Sequence, residues 1–100
     1  AHFLIKRNGG LIQFVSCNDR AWHAGDSSYQ GTENCNDFSI GIELEGDDKT
    51  PYENDQYIKL IELLECLKKE YNVHDIVGHS DISPNRKTDP GPLFDWKKIK

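Results

Sequence analysis

Phe38-Ser39-Ile40-Gly41-Ile42-Glu43-Leu44-Glu45 is the stretch that decides the fold. Its apolar residues occupy alternate positions, which is the period of a β-strand with one buried and one open face. Thr50-Pro51 followed by Glu53 predicts the start of a helix. That helix carries one apolar stripe, formed by Tyr57, Leu60, Ile61, Leu64, Leu67 and Tyr71. We expect the stripe to pack on the face of the strand that carries Ile40 and Ile42, which leaves Glu43 on the other face.

The remaining segments complete a mixed architecture. Residues 2–6 and 11–15 are rich in β-branched and aromatic residues, and the Asn8-Gly9 pair between them predicts a hairpin because both residues tolerate positive φ. Residues 16–37 form a long polar connection. Residues 75–78 predict a short strand that ends at His79, and residues 92–96 a last short helix opened by proline. Together these elements predict an α/β fold of the α+β type, a mixed β-sheet flanked by helices.

Composition limits the classes of function. A length of 100 residues indicates a single domain. The 12 Lys and Arg residues are outnumbered by 17 Asp and Glu residues, and the net charge of −5 disfavours nucleic acid as a partner. No apolar run is long enough for a membrane-spanning helix, and the first residues do not read as a signal peptide. The three cysteines, Cys17, Cys35 and Cys66, have no metal-site or disulfide spacing and are expected to be reduced thiols.

The segment Gly78–Pro92 carries the strongest chemical signal. It places His79 at the end of a predicted strand and Asp89 at the end of a loop punctuated by prolines. Imidazole and carboxylate groups are both good zinc ligands, and a catalytic zinc takes three protein ligands and leaves a position for water. The spacing alone is equally compatible with structural roles, in which His79 caps the strand end and Asp89 caps the final helix.

Two charged residues are candidates for catalysis. Glu43, on the face of the strand opposite the helix, has the chemistry of a general base or of a group that orients a metal-bound water. Lys87 lies two residues before Asp89 and could stabilise an oxyanion. Both also fit ordinary solvated charges. The Trp22-His23 pair forms either a wall of the cleft or normal loop packing, while His2 and His74 are expected to be structural or solvent-facing.

Three motifs together resemble the AmpD-type 1,6-anhydro-N-acetylmuramyl-L-alanine amidases, within the zinc amidase and peptidoglycan-recognition family. They are Ala21-Trp-His-Ala-Gly25, Cys35-Asn-Asp-Phe-Ser-Ile-Gly-Ile-Glu-Leu-Glu-Gly46, and Gly78-His-Ser-Asp-Ile82 with Arg86-Lys-Thr-Asp-Pro-Gly-Pro92 and Phe94-Asp-Trp96. The resemblance covers nearly the whole chain.

The resemblance implies a set of roles. His79 and Asp89 fall on zinc ligands, Glu43 on the catalytic glutamate and Lys87 on the lysine that stabilises the transition state. Trp22 and Leu44 are assigned to substrate binding. The implied reaction is hydrolysis of the amide between anhydro-muramic acid and the L-alanine of a muropeptide during cell-wall recycling. The protein is then expected to be a cytoplasmic monomer with one Zn²⁺ and a small muropeptide substrate, without nucleic-acid or membrane partners.

Two departures from the family pattern carry expectations of their own. The remaining zinc ligand of the family is a histidine upstream of the segment that matches Ala1, and no residue here corresponds to it. Residues 1–100 are therefore expected to be a single amidase domain that lacks one ligand-bearing strand, with weaker zinc affinity and an exposed sheet edge. Gly31-Thr32-Glu33-Asn34 replaces loop arginines common in the family, which implies a weaker hold on anionic substrate groups.

Two other functions remain open from the sequence. One is a muropeptide-binding module with the same cleft and no catalytic metal, which the missing histidine favours for this chain. The other is a secreted wall-binding lysin, which requires an export signal upstream. Glu43, Lys87 and Asp89 together favour the enzyme, because binding alone needs none of them.

Overall fold

The fold is known from a computed structural model, which describes residues 1–99. Its strands are β1 (Phe3–Ile5), β2 (Leu11–Gln13), β3 (Ser28–Tyr29), β4 (Thr32–Glu33) and β5 (Ile42–Leu44). Its helices are α1 (Asn54–Glu70) and α2 (His79–Ile82), with 3₁₀ turns at Cys35–Asp37 and Trp96–Lys98. The main sheet has the order β2-β1-β5, in which β1 runs antiparallel to β2 and parallel to β5. The predicted mixed sheet with helices is therefore confirmed.

The predicted hairpin joins β1 to β2. The amide of Gly9 donates to the Lys6 carbonyl at 2.8 Å, and the Lys6 amide donates to the Gly10 carbonyl at 2.8 Å. Gly9 alone of the Asn8-Gly9 pair has a positive φ, at 85°. The turn therefore needs the freedom of the glycine only, while the side chain of Asn8 accepts from the Gly10 amide at 2.8 Å.

The long connection over residues 16–37 is more ordered than the sequence suggested. It contains a second hairpin in which β3 pairs with β4, and its two turn residues, Gln30 and Gly31, have φ values of 48° and 84°. These dihedrals suit the tight turn of a two-residue hairpin. Strands of two residues leave no hydrophobic period to detect, so the sequence pattern missed them.

The strand predicted over residues 38–45 forms only at its end, as β5. The backbone of Gly41 bonds to His2 and does not extend the strand ladder. The His2 amide donates to the Gly41 carbonyl, and the Gly41 amide donates to Nδ1 of His2. Phe38 is 49% exposed, outside the core. The expected alternation holds within β5, since Ile42 and Leu44 pack on the core and Glu43 is exposed.

The long helix packs on the sheet as expected. Its start is corrected from Thr50 to Asn54, with Glu53 as the cap residue, because the amides of Lys49 and Thr50 are already held by the Asp47 carboxylate. The buried apolar residues of the helix are Tyr57, Leu60, Leu63, Leu64 and Leu67. Leu63 was missed by the predicted stripe, whereas Ile61 and Tyr71 are half-buried. Phe3, Ile5 and Phe94 complete the core cluster.

The two last predicted elements are also corrected. Residues 75–78 form no strand, since the Asp75 carboxylate binds its neighbouring Ile76 amide at 2.8 Å and accepts from the Tyr29 hydroxyl at 2.9 Å. The final helical turn begins at Trp96 instead of Pro92, and Asp95 caps it by accepting from the Lys97 amide at 3.1 Å. Within residues 1–99, no helix combines the length and apolarity needed to cross a bilayer.

Candidate active site

His79 and Asp89 come together at the start of α2. The nine residues between them are closed into a loop by two backbone hydrogen bonds, from the Ser80 amide to the Asp89 carbonyl at 3.0 Å and from the Lys87 amide to the Ser83 carbonyl at 2.9 Å. Nδ1 of His79 then lies 3.1 Å from Oδ2 of Asp89. The two side chains that the sequence predicted to converge therefore do so.

The partner of the other ring nitrogen determines the state of the His79 ring. Nε2 lies 2.8 Å from the carbonyl oxygen of Ala24, and a carbonyl can only accept, so Nε2 carries the proton of this bond. In the neutral ring, Nδ1 then presents a lone pair toward the Asp89 carboxylate. Two such acceptor atoms at 3.1 Å repel each other unless a proton or a metal ion lies between them.

This geometry fits two ligands of a tetrahedral zinc ion. With zinc–nitrogen and zinc–oxygen distances near 2.0–2.1 Å, neighbouring ligand atoms are about 3.3 Å apart, close to the observed 3.1 Å. A ligating histidine also donates its other N–H to a backbone carbonyl in typical zinc sites, as His79 does to Ala24. Residues 1–99 contain no cluster of three or more His, Cys, Asp or Glu side chains that could hold a metal by itself.

The capping alternative for these two residues is excluded by the same structure. No strand precedes His79 for it to cap, and the final helical turn is capped by Asp95, not by Asp89. Asp89 is left with 59% of its side chain exposed and His79 with 17%. A convergent pair that is open to solvent is available to a ligand.

The charged groups of Glu43 and Lys87 are both available to a ligand. Glu43 is exposed on the outer face of β5, and neither its carboxylate nor the ammonium of Lys87 takes part in a hydrogen bond or ion pair within the described residues. Lys87 is half-buried, two residues from Asp89. Both charged groups are therefore available to interact with a bound molecule.

The two residues assigned to substrate binding are placed differently. Trp22 is 79% exposed, and the guanidinium of Arg20 lies 4.0 Å from its ring centroid. The guanidinium covers one face of the ring, and the rest of this exposed side chain is suited to contact with a ligand. Leu44 points the other way, because it lies on the core face of β5 and packs against the cluster under α1. Its side chain gives the predicted substrate contact no support.

His23, which the sequence left undecided, is packed against the backbone of Gly41. A Cβ atom on Gly41 would lie 2.3 Å from the His23 ring, so the ring fills the space that a side chain would need. Nε2 of His23 donates to the Ser39 hydroxyl at 2.7 Å, which in turn donates to the Cys35 carbonyl. Nδ1 is buried without a partner in the described part of the chain. Burial, with His2 and His79 nearby, lowers the pKa of His23 to about 4.

A buried asparagine that the sequence analysis missed holds the Trp22–Gly25 loop. Oδ1 of Asn36 accepts from the backbone amides of His23, at 3.0 Å, and Ala24, at 2.7 Å. Asn36 is only 5% exposed. It anchors the peptide whose carbonyl binds His79, a link between distant segments that no local pattern reveals.

A family model described as N-acetylmuramoyl-L-alanine amidase matches residues 1–92. The 1,6-anhydro-N-acetylmuramyl-L-alanine amidase AmpD of Enterobacter cloacae is 57% identical over 101 residues, which cover 99% of this chain and 54% of that protein. AmpD of Escherichia coli K12 is 52% identical over 102 residues, covering 100% of this chain and 56% of that protein. The chain thus spans about half the length of the curated relatives it matches.

Solved structures agree with this match. A crystal structure of a selenomethionine derivative of AmpD has a TM-score of 0.96 at 52% identity and covers 99% of this chain and 56% of that one. The amidase AmiD of E. coli, in complex with anhydro-N-acetylmuramic acid-L-Ala-D-γ-Glu-L-Lys, has a TM-score of 0.93 at 36% identity and covers 99% of this chain and 46% of that one. These scores show that the chain shares the fold of both proteins over the part that is matched.

Proposed function

Because the chain belongs to the N-acetylmuramoyl-L-alanine amidase family, we propose that it forms part of a zinc-dependent enzyme that hydrolyses muropeptides. The bond cleaved is the amide between 1,6-anhydro-N-acetylmuramic acid and L-alanine, and the process is peptidoglycan recycling. The observation that carries the proposal is the 3.1 Å approach of Nδ1 of His79 to the Asp89 carboxylate. The name of the AmpD relatives and the substrate in the AmiD complex support the substrate class.

On this proposal, Nδ1 of His79 and the carboxylate of Asp89 hold the metal, and a histidine outside residues 1–100 supplies the third protein ligand. Zinc, when bound, lowers the pKa of water and polarises an amide carbonyl. The 2.8 Å bond from Nε2 of His79 to the Ala24 carbonyl keeps the ring oriented for this role.

Glu43 and Lys87 perform the acid–base and electrostatic work. The exposed carboxylate of Glu43 takes a proton from the attacking water and returns it to the leaving amine of L-alanine. The free ammonium of Lys87 stabilises the negative charge that develops on the amide oxygen. Trp22 offers its open ring to the sugar or the peptide stem. The protein works as a cytoplasmic monomer and needs neither a nucleic acid nor a membrane.

The first prediction tests Glu43 in the full-length protein. Glu43→Ala should retain stoichiometric zinc, because the residue is not a ligand, and should lower kcat by about 10²–10⁴-fold, the usual contribution of a general base. Metal analysis and hydrolysis of an anhydro-muropeptide measure the two effects. Glu65→Ala, which removes an exposed carboxylate from α1, is the matched control and should leave both unchanged. Normal turnover in Glu43→Ala would remove this residue from the mechanism.

A muropeptide-binding module without catalysis is the second candidate. It is favoured by one observation, the lack of a third metal-ligating side chain near His79 and Asp89 within residues 1–99. Stoichiometric zinc binding, together with release of a peptide whose N-terminal residue is L-alanine, supports the enzyme hypothesis. Retention of muropeptide by a metal-free protein that never cleaves it supports the binding module.

A further inference from the structure

We propose that Arg86 is a positioning residue for the metal site and acts through the carbonyl oxygen of Ala24. This inference rests on the proposed function in one respect, because it takes His79 to be a zinc ligand. Within residues 1–99, Arg86 makes no hydrogen bond to His79 or Asp89. It binds the backbone group that determines how the His79 ring is oriented.

The Ala24 carbonyl is shared between the two side chains. Nε2 of His79 donates to it at 2.8 Å, and Nη2 of Arg86 donates to it at 2.6 Å. A carbonyl oxygen has two lone pairs, so these two donors use its full capacity. Ala24 is 1% exposed, so in the folded protein these two donors, not solvent, surround its carbonyl oxygen. The position of this one oxygen therefore depends on Arg86 and determines the position of His79.

The loop is shaped to let Arg86 approach. Gly25 has a φ of +64°, and a Cβ atom there would lie 2.7 Å from Nη2 of Arg86. A side chain at this position would therefore meet both backbone strain and the guanidinium. Nη2 also donates to the Asp26 carbonyl at 3.1 Å, while the Ser83 hydroxyl donates to that same carbonyl at 2.7 Å. The guanidinium thus ties both sides of the Gly25 turn to the loop after α2.

The other end of the Ala24 residue is held independently. Its amide donates to Oδ1 of the buried Asn36 at 2.7 Å. With the amide bound to Asn36 and the carbonyl bound to Arg86, Ala24 is fixed in orientation. The hydrogen bond from Nε2 of His79 to the Ala24 carbonyl therefore keeps one direction, and Nδ1 stays facing the Asp89 carboxylate.

Arginine suits this task better than lysine. One planar nitrogen of its guanidinium reaches two carbonyl oxygens at once, and its charge is permanent. A lysine ammonium has the charge but not the fixed planar geometry. Both protons of Nη2 are already donated to backbone carbonyls. This nitrogen is therefore not available to bind anionic groups of a substrate.

The second prediction tests this relay with two measurements on the full-length protein. The first is the zinc dissociation constant, which Arg86→Ala should raise by about tenfold or more, the usual effect of losing an outer partner of a metal ligand. The second is the rate at which the Nε2–H proton of His79 exchanges with water, followed by ¹H–¹⁵N NMR in metal-free protein. In the wild type this proton should exchange slowly, because Nε2 donates to the Ala24 carbonyl whether or not Nδ1 carries a proton. Arg86→Ala should speed the exchange by about tenfold or more, because the carbonyl loses its second donor.

Controls separate this inference from general damage and from the proposed function. Arg86→Lys should fall between the wild type and the alanine variant in both measurements, and it carries the test by itself if Arg86→Ala does not fold. Arg7→Ala removes a guanidinium that binds the Pro51 carbonyl elsewhere and should change neither measurement. If the wild type binds no zinc, the proposed function fails, but the exchange measurement still tests the inference about Arg86. Wild-type exchange of the His79 Nε2–H proton together with wild-type zinc affinity in the folded Arg86 variants would overturn it.

Discussion

The fold makes His23 harder to protonate than a free histidine. Its ring lies over Gly41 with Nε2 bound to Ser39 and with Nδ1 buried and unpartnered in the described part of the chain. Protonation of Nδ1 would place a charge in a poorly solvated site beside His2, and this lowers the pKa of His23 from 6.5 to about 4. The folded protein therefore keeps this ring neutral at pH values where an unfolded chain takes up a proton.

The third prediction concerns stability against pH. Between about pH 6.5 and pH 4 the unfolded state binds the His23 proton and the folded state does not, so stability is lost as the pH falls through this window. Because the ring is only partly buried, we expect a loss of about 2 kcal/mol from this residue. Urea unfolding of metal-free protein from pH 7 to pH 4 measures it, and His23→Gln should show a correspondingly shallower decline. An NMR titration in which His23 protonates near pH 6.5 would contradict the prediction.

Sequence reasoning about single residues succeeded where chemistry alone was enough. Nδ1 of His79 lies 3.1 Å from the Asp89 carboxylate, because a short loop with prolines limits how far apart its ends can be. Their joint role as zinc ligands stays a prediction. The environments of His23 and Asn36 were not predictable in the same way. Their partners, including Ser39 and the Ala24 amide, are more than ten residues away in the chain and leave no spacing signal.

At the scale of elements, Gln56 joins the long helix to the sheet. It is fully buried in the first turn of α1, where its Oε1 accepts from the Glu53 amide at 2.9 Å. Its Nε2 donates to the Glu45 carbonyl at 2.9 Å and to the Ile5 carbonyl at 3.3 Å, at the ends of β5 and β1. One side chain therefore caps the start of α1 and links it to the ends of the parallel strands β1 and β5.

The fourth prediction is that Gln56→Ala lowers the free energy of unfolding by about 3 kcal/mol. The change leaves the Glu45 carbonyl and the Glu53 amide without their partners and opens a small cavity. Urea denaturation at constant pH provides the measurement. Gln13→Ala is the control: the Gln13 side chain donates to the Val15 carbonyl at 3.1 Å at an exposed site, so its loss should cost less than about 0.5 kcal/mol. Equal costs for the two variants would show that Gln56 does not link the elements.

The predicted elements differ in how well periodicity defines them. The helix is long enough for its apolar stripe to be seen, and the antiparallel hairpin is encoded in its turn. Residues 38–41 have strand alternation, but the backbone groups of Gly41 are taken by His2, so the ladder starts only at Ile42. A competing hydrogen-bond partner from a distant segment overrides a local pattern.

At the scale of the whole molecule, the C-terminal segment is anchored to the rest of the chain by an aromatic cluster. Phe94 is 7% exposed, and its ring centroid lies 5.8 Å from Tyr52, 5.4 Å from Tyr57 and 4.9 Å from Trp96. The Tyr52 hydroxyl also donates to the Pro90 carbonyl at 2.8 Å. These contacts attach the loop that ends in Asp89 to the start of α1.

The fifth prediction follows from this anchoring. Phe94→Ala should lower the free energy of unfolding by about 3–5 kcal/mol, as expected for a buried aromatic truncated in a core. It should also weaken zinc binding, because the segment that follows Asp89 loses its attachment. Calorimetry and zinc titration measure the two effects. Phe38→Ala, at a ring that is 49% exposed, should cost less than about 1 kcal/mol. Similar costs at the two positions would contradict the proposed anchoring.

The sequence by itself determined which residue types meet: an alternating strand, an amphipathic helix, a turn with glycine, and a histidine and an aspartate ten residues apart. These are local properties, because they depend on side-chain period, turn geometry and loop length. Only the tertiary structure decided how the His79 ring is oriented, why Gly41 has no side chain and what Gln56 and Arg86 do. Each of these depends on a hydrogen bond or a close packing contact between segments remote in sequence. Such contacts arise only when the folded backbone brings those segments together and removes the water that would otherwise bind their polar groups.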